Sequence, residues 1–204
     1  MVNDLMLRRS LMFEKVGGLP AEYVQLSYLS ITGTNQHIKT DYIPSASCKI
    51  EVTFQATSTT SNKAGVLFGC RSGYNNNALY FRTLLNSGSA VNMDCYIAYK
   101  TERTFTHPNV MNNVNTFGVD NGRFYINDTT LATYTDVFTP AYAIYLMRIN
   151  SAGSAFSPSP VGNLFSAKVW EGGQLVRDYI PVQRIADSVT GMFDLITQTF
   201  ETLN

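Results

Sequence analysis

The 204-residue sequence predicts an all-β sandwich. Short stretches in which apolar and polar residues alternate with period two recur along the chain. Turns built from Gly, Asn and Asp separate them, and no amphipathic helical pattern follows the first sixteen residues. The length suits one sizeable core.

Met1–Pro20 stands apart as a helical docking segment and linker, and residues 21–204 form the sandwich. Asn3 or Asp4 is placed to cap a helix running to about Lys15, ended by Gly17-Gly18. Such a helix is too short to be stable alone. It is expected to fray, to pack on its own domain, or to dock on another subunit.

Val24, Leu26 and Tyr28 alternate in a first strand, and Gly33-Thr34-Asn35 makes a turn. Cys48, Ile50, Val52 and Phe54 alternate against Lys49, Glu51, Thr53 and Gln55, the clearest strand in the protein. After a polar loop, Ser58–Lys63, the continuous apolar run Gly65–Cys70 reads as a central strand. Arg71–Ala78, RSGYNNNA, reads as an amide-rich loop. Leu79–Leu85 and Met93–Tyr99 alternate again, with Tyr80, Arg82 and Tyr96 opposite the apolar face. Asp120-Asn121-Gly122 within Phe117–Ile126 is a type I′ hairpin signal. Tyr142–Ile149 reads as one strand, and Ser151–Gly162 as the longest irregular loop.

Asn163–Phe200 reads as strand, Gly172-Gly173 turn, strand and closing strand, with Phe165, Ala167 and Val169 on one face and Trp170 on the other. In Leu175–Val182 either phase puts Arg177 or Asp178 on the core side. A bulge or a satisfied buried pair is expected there. Pro181 is expected to stop the ladder and mark an edge or strand end.

Lysine plus arginine and aspartate plus glutamate each number 15, so the net charge is zero, which argues against nucleic-acid binding. No apolar run is long enough for a membrane span. Arginines interrupt the apolar residues of the first sixteen, so no signal peptide is recognisable. Cys48, Cys70 and Cys95 lie in apolar strand patterns and read as buried free thiols made in a reducing cytoplasm. His37 and His107 lack a catalytic context, and no paired carboxylates of the ExDxE kind occur. Enzymatic activity is therefore not expected, and neither is a cofactor or zinc site. Calcium in a loop stays open, although Asp41, Asp120, Asp128 and Asp136 are better explained by turn chemistry. The sequon Asn127-Asp128-Thr129 also sits in an expected turn.

VWEGGQLVRDYIPV followed by GMFDL resembles the closing segment of the LamG-like, concanavalin A-like jelly-roll domains of gut bacteria and their phages. EYVQLSYLSITGTNQHIKTDYIP, KIEVTFQA, VLFGCRSG, FGVDNGRFYIND and AIYLMRINSAG extend the resemblance over about Ala21–Asn204. It implies a jelly roll in which Tyr23–Leu29 pairs with or neighbours Gly191–Phe200, and it suggests carbohydrate binding. Sugars are held by aromatic faces and by planar amide and guanidinium groups. Arg71, Tyr74, Asn75, Asn76 and Asn77, with Tyr80, Arg82 and Tyr96, have that character and form the expected glycan site; Trp170 is the next place to look. The expected role is a non-catalytic carbohydrate-binding or attachment module of a surface or phage virion assembly. It would act on the virion or extracellular surface and contact its own copies or virion proteins through the N-terminal helix. The alternative is a purely structural fibre or decoration protein.

Overall fold

The computed structural model describes residues 18–33, 35–57, 65–73, 76–85, 92–99, 101–108, 112–135 and 139–204; of 76, 84, 85, 92–99 and 101–108 it describes the backbone. The segment expected to form the N-terminal helix and the loop Ser58–Lys63 lie outside the described residues, apart from Gly18–Pro20. The described strands run in chain order as β1 (Tyr23–Gln25), β2 (Leu29–Ile31), β3 (Ile38–Lys39), β4 (Lys49–Ala56), β5 (Gly65–Gly73), β6 (Asn76–Leu85), β7 (Asn92–Tyr99), β8 (Thr101–Pro108) and β9 (Val114–Asp120). They continue as β10 (Arg123–Ile126), β11 (Thr129–Thr133), β12 (Tyr145–Leu146), β13 (Ile149–Ser151), β14 (Ser154–Phe156), β15 (Gly162–Glu171), β16 (Gln174–Arg184), β17 (Thr190–Asp194) and β18 (Thr199–Thr202).

These strands form an all-β sandwich of two sheets. The first sheet has the order β11-β10-β9-β4-β15-β16-β17-β18, with β1 on β16 and β2 on β15. The second has the order β14-β13-β5-β6-β7-β8, with β12 on β5 and β3 on β12. Strand β4 buries Ile50, Val52, Phe54 and Ala56 and turns Lys49, Glu51, Thr53 and Gln55 outward. Strand β5 is central, as its apolar run predicts, and a bulge at Leu67 lets both Leu67 and Phe68 enter the core. The sheets meet through aromatic rings: Phe81 of β6 lies 5.4 Å edge-on to Phe117 of β9 and 6.2 Å from Phe124 of β10. Each such fully buried ring contributes about 1.5–3 kcal/mol of transfer free energy.

Both glycine-type hairpins form. Asn121 and Gly122 have φ of 46° and 79°, and Gly172 and Gly173 have 55° and 81°, the double left-handed geometry of a type I′ turn. In β16 the charge conflict resolves by both expected routes. Val169 faces Arg177 while Trp170 faces Leu175, which leaves Val176 as a bulge. Arg177 then reaches fully buried Asp194, with Nε 3.4 Å from Oδ2.

The structure corrects several elements. Tyr23–Leu29 is not one strand. β1 pairs with the end of β16 and β2 with the start of β15, filling the gap where those two diverge. The end strands therefore do not pair with each other; they neighbour through Tyr23, whose ring lies 4.9 Å from Phe193 and 5.1 Å from Phe200. Pro181 does not end its strand. Its carbonyl accepts Leu26 N–H at 2.8 Å on the side where β16 changes partner from β15 to β1, so its missing N–H falls in that gap. Tyr142–Ile149 is split into β12 and β13 by left-handed Met147 at φ 66°. The Ser151–Gly162 loop contains β14, folded back on β13 through Ala152 and Gly153 at φ 50° and 91°. Within the stretch expected as the loop Arg71–Ala78, Arg71 pairs with Ala78 and Gly73 with Asn76, so its described residues belong to β5 and β6. Phe165 leaves the buried row because β15 bulges between Leu164 and Ser166.

Candidate functional site

The outward face of the first sheet carries a built polar surface. Three cross-strand rows lie on it. Arg123, Asp120, Lys49 and Trp170 form one, as neighbours on β10, β9, β4 and β15. Tyr125, Gly118, Glu51, Lys168 and Asp178 form the second, which reaches β16. Thr116, Thr53 and Ser166 form the third. Phe124 and Ile126 face the core, so Arg123 and Tyr125 face away from it.

Gly118 is what lets the Tyr125 ring lie flat across β9. A Cβ there would fall 2.5 Å from Tyr125 Oη and 2.6 Å from Cε2. The ring is thus held down, and Oη donates to Glu51 Oε1 at 2.6 Å. Lys49 Nζ reaches the same oxygen at 3.0 Å and lies 4.4 Å from the centre of the Trp170 ring. The Arg123 guanidinium covers the other face of this cluster, 4.8 Å from the Tyr125 ring centre and 3.5 Å from Asp120. Burial, and then the hydrogen bond to Glu51, push the Tyr125 phenol well above its ordinary pKa, so it stays a proton donor.

Beside this cluster the β10–β11 turn is locked. Asn127 has φ 52°; its Oδ1 accepts Thr116 N–H at 2.9 Å, and its Nδ2 donates to Asn115 Oδ1 at 3.0 Å. Lys49, Glu51, Thr116, Arg123, Tyr125, Asn127 and Asp128 line an open depression of about 480 Å³. Its wall holds amide, carboxylate, guanidinium, ammonium and hydroxyl groups, and the half-buried Trp170 ring adjoins it; Tyr125 is 5 % exposed between Gly118 and Arg123, so it forms the floor and not a stacking face. Such a surface can hold a polyhydroxyl ligand by directional hydrogen bonds and ring stacking.

Other charged groups are structural. Glu171 accepts hydrogen bonds from Tyr42 Oη, from Ser45 N–H at 3.1 Å and from Ser45 Oγ at 2.7 Å, tying down the loop before β4. Burial opposes ionisation of Glu171, but these hydrogen bonds outweigh it and hold its carboxyl below the ordinary value. Asp194 accepts Asp178 N–H at 2.9 Å, Ile196 N–H at 3.0 Å and Thr197 Oγ at 2.7 Å. Cys48 and Cys70 are buried free thiols, and burial pushes Cys70 up to about 12. Among the described residues, no group of three His, Cys, Asp or Glu is placed to hold a metal, and no helix is long and apolar enough to cross a membrane.

The site expected from the sequence lies on the second sheet. Register puts Arg71, Tyr80, Arg82 and Tyr96 on one face, with Arg82 directly opposite Tyr96. Tyr80, however, is 2 % exposed and packs with Val66, Ala78 and Ile149, so its ring offers no open face. Arg71 is 6 % exposed; its Nε donates to Ser151 Oγ at 3.1 Å, and its guanidinium lies 4.1 Å from the Phe156 ring centre. Asn77 is exposed with φ 43°. Tyr74 and Asn75 lie outside the described residues, as do the side chains of Asn76 and Tyr96. The first-sheet cluster escaped sequence reading, except for Trp170. Its signal was present as the polar phase of β4 and the Arg-Phe-Tyr alternation after the Asn121-Gly122 turn.

No known protein family matches the chain, and no curated protein does. Among solved structures it is similar to the CBM40 of the Ruminococcus gnavus IT-sialidase bound to alpha2,3 sialyllactose, with 12 % identity over 72 % of this chain and 90 % of that one, at a TM-score of 0.49. It is also similar to full-length tailspike protein 2 from Escherichia coli O157:H7 bacteriophage CAB120, with 10 % identity over 74 % of this chain and 23 % of that one, at a TM-score of 0.48. A third is the leech intramolecular trans-sialidase complexed with 2,7-anhydro-Neu5Ac, with 16 % identity over 72 % of this chain and 25 % of that one, at a TM-score of 0.44.

Proposed function

We propose that the protein is a non-catalytic carbohydrate-binding module and that it binds glycan on the outer face of the first sheet. The observation that carries this reading is the polar depression at Tyr125. A ring is laid over Gly118, and hydrogen-bonding groups of both charges are fixed around it. Glu51, held by Tyr125 and Lys49, serves as an oriented acceptor for sugar hydroxyls rather than as an acid or nucleophile. Kinship with the LamG-like jelly rolls belongs to the same proposal. So does carriage of the module on a virion or extracellular assembly through residues 1–20.

The test is a panel of neutral and acidic glycans, followed by calorimetry. The proposal expects binding without turnover, weakened about ten- to hundredfold in Arg123→Ala and in Glu51→Gln, since each removes one charge-assisted hydrogen bond worth about 1.5–3 kcal/mol. Tyr74→Ala is the control for the site expected from the sequence. Loss of binding in that variant alone would move the site there. Absence of binding to every glycan would leave the purely structural role.

A further inference from the structure

The polar depression is flanked along β15 by aromatic groups on both sides. Trp170 stands beside Lys49 at one end. At the other, Leu164 and Leu29 pair with both side chains in the core. The next residues, Phe165 and Tyr28, therefore both turn outward. Their rings lie 5.9 Å apart, and Tyr28 is 45 % exposed. The β15 bulge places Phe165 and Ser166 against Thr53 of β4, whereas Trp170 stands against Lys49. Four residues of β4 separate those positions, so the two aromatic ends lie about 13 Å apart at the strand rise of about 3.3 Å. That span exceeds one sugar ring. Between the ends lie Glu51, Lys168, Ser166 and Thr53, all hydrogen-bonding groups.

The charges on this face are matched. Lys49 has Glu51 at 3.0 Å, Lys168 has Asp178 at 3.4 Å, and Arg123 has Asp120 at 3.5 Å. A carboxylated or sulfated sugar would have to displace a carboxylate from its cation, and it would also meet Asp128 on the rim. Uncharged hydroxyls incur no such cost, because they donate to the carboxylates and accept from the cations without breaking the pairs.

We infer that this face takes a chain of uncharged sugars lying along β15, with one ring on Trp170, polar contacts at Glu51 and Lys168, and a further ring on the Tyr28–Phe165 pair. The inference rests on the carbohydrate reading of the same face and adds the ligand's length and charge. It makes Tyr28 and Phe165 specificity residues for the distal end.

The experiment is calorimetry with neutral gluco-, galacto- and manno-oligosaccharides of one to six units, using the full chain. In at least one series affinity should rise with length up to three or four units and then level off. Tyr28→Ser, at an exposed position that leaves the core intact, should reduce the tetrasaccharide-to-monosaccharide affinity ratio about 3- to 10-fold, the range expected for losing one aromatic contact. Trp170→Phe is the second probe, chosen because it keeps a ring, and it should produce a smaller reduction in the same ratio. Raising sodium chloride from low to molar concentration should leave binding unchanged within about twofold. Affinity independent of length, or a ratio untouched by Tyr28→Ser, would overturn the extended site while leaving carbohydrate binding in place. Binding to acidic glycans alone, weakened by salt, would overturn the uncharged class. Binding to no glycan of either kind would overturn the carbohydrate reading itself.

Discussion

Replacing Gly118 by alanine tests how the floor of the depression is built. A Cβ at residue 118 meets Tyr125 Oη at 2.5 Å and Cε2 at 2.6 Å, far inside van der Waals contact. The ring must lift, and the 2.6 Å hydrogen bond to Glu51 goes with it. Losing a hydrogen bond to a charged group costs about 1.5–3 kcal/mol. Forcing a packed ring aside adds about 1–3 kcal/mol. Part of this is recovered, because alanine lowers the entropy of the unfolded chain by about 0.4–1 kcal/mol where the backbone allows it. The net expectation is a loss of about 2–4 kcal/mol, read from urea unfolding. The sign of the effect should depend on the ring. In a Tyr125→Ala background the obstacle is gone, and Gly118→Ala should become neutral or slightly stabilising, a coupling of 2 kcal/mol or more in the double-mutant cycle. Equal costs in both backgrounds would refute the packing of Tyr125 over Gly118.

Two further outcomes follow from the packing, and a third from the role proposed for residues 1–20. Removing Asp194 by alanine strips the acceptor from two backbone N–H groups, a threonine hydroxyl and Arg177, and should cost about 3–5 kcal/mol by urea unfolding, with Asp194→Asn recovering about half; a loss under about 1 kcal/mol would contradict it. His37 is buried with Nδ1 against the Asn35 carbonyl, no partner at Nε2 among the described residues, and Arg148 and Lys39 nearby, and burial first, then those cations, hold its pKa below 6.5. The unfolded chain therefore binds the proton more readily, so stability should fall as pH drops from 6.5 towards the folded pKa, and His37→Gln should flatten that window in pH-dependent melts. Deleting residues 1–18 should leave the sandwich's melting temperature intact while abolishing oligomerisation or incorporation into a particle, as measured by mass in solution; an unfolded truncation would make that segment part of the core.

Alternation alone made β4 legible, because one buried face imposes period two whatever the partners are, and the continuous apolar run of β5 was legible because a central strand is buried on both faces. Hairpins marked by Asn121-Gly122 and Gly172-Gly173 were legible because few residues tolerate φ above zero. Bulges were not. Phe165 fits the apolar phase of its strand, and only the shift of β15 against β4 turns it outward. The same shift hid the outer face, since Tyr28, Phe165, Glu51 and Tyr125 lie far apart in sequence and meet only through the registers of five strands. Tyr80 misled in the opposite way. Its polar neighbours suggested an open face, yet Gly69 lets the Cα and Cβ of Tyr80 approach across the ladder, and Tyr80 is buried with Val66, Ala78 and Ile149.

Backbone amide shifts recorded while a bound neutral oligosaccharide is titrated in test the central claim most directly. Glycan binding on the outer face of the first sheet predicts the largest changes at Lys49, Glu51, Thr116, Gly118 and Lys168, extending to Tyr28 with longer chains. Changes confined to Gly73, Asn76, Asn77 and Tyr96 on the second sheet, with Gly118 and Lys168 unmoved, would contradict it.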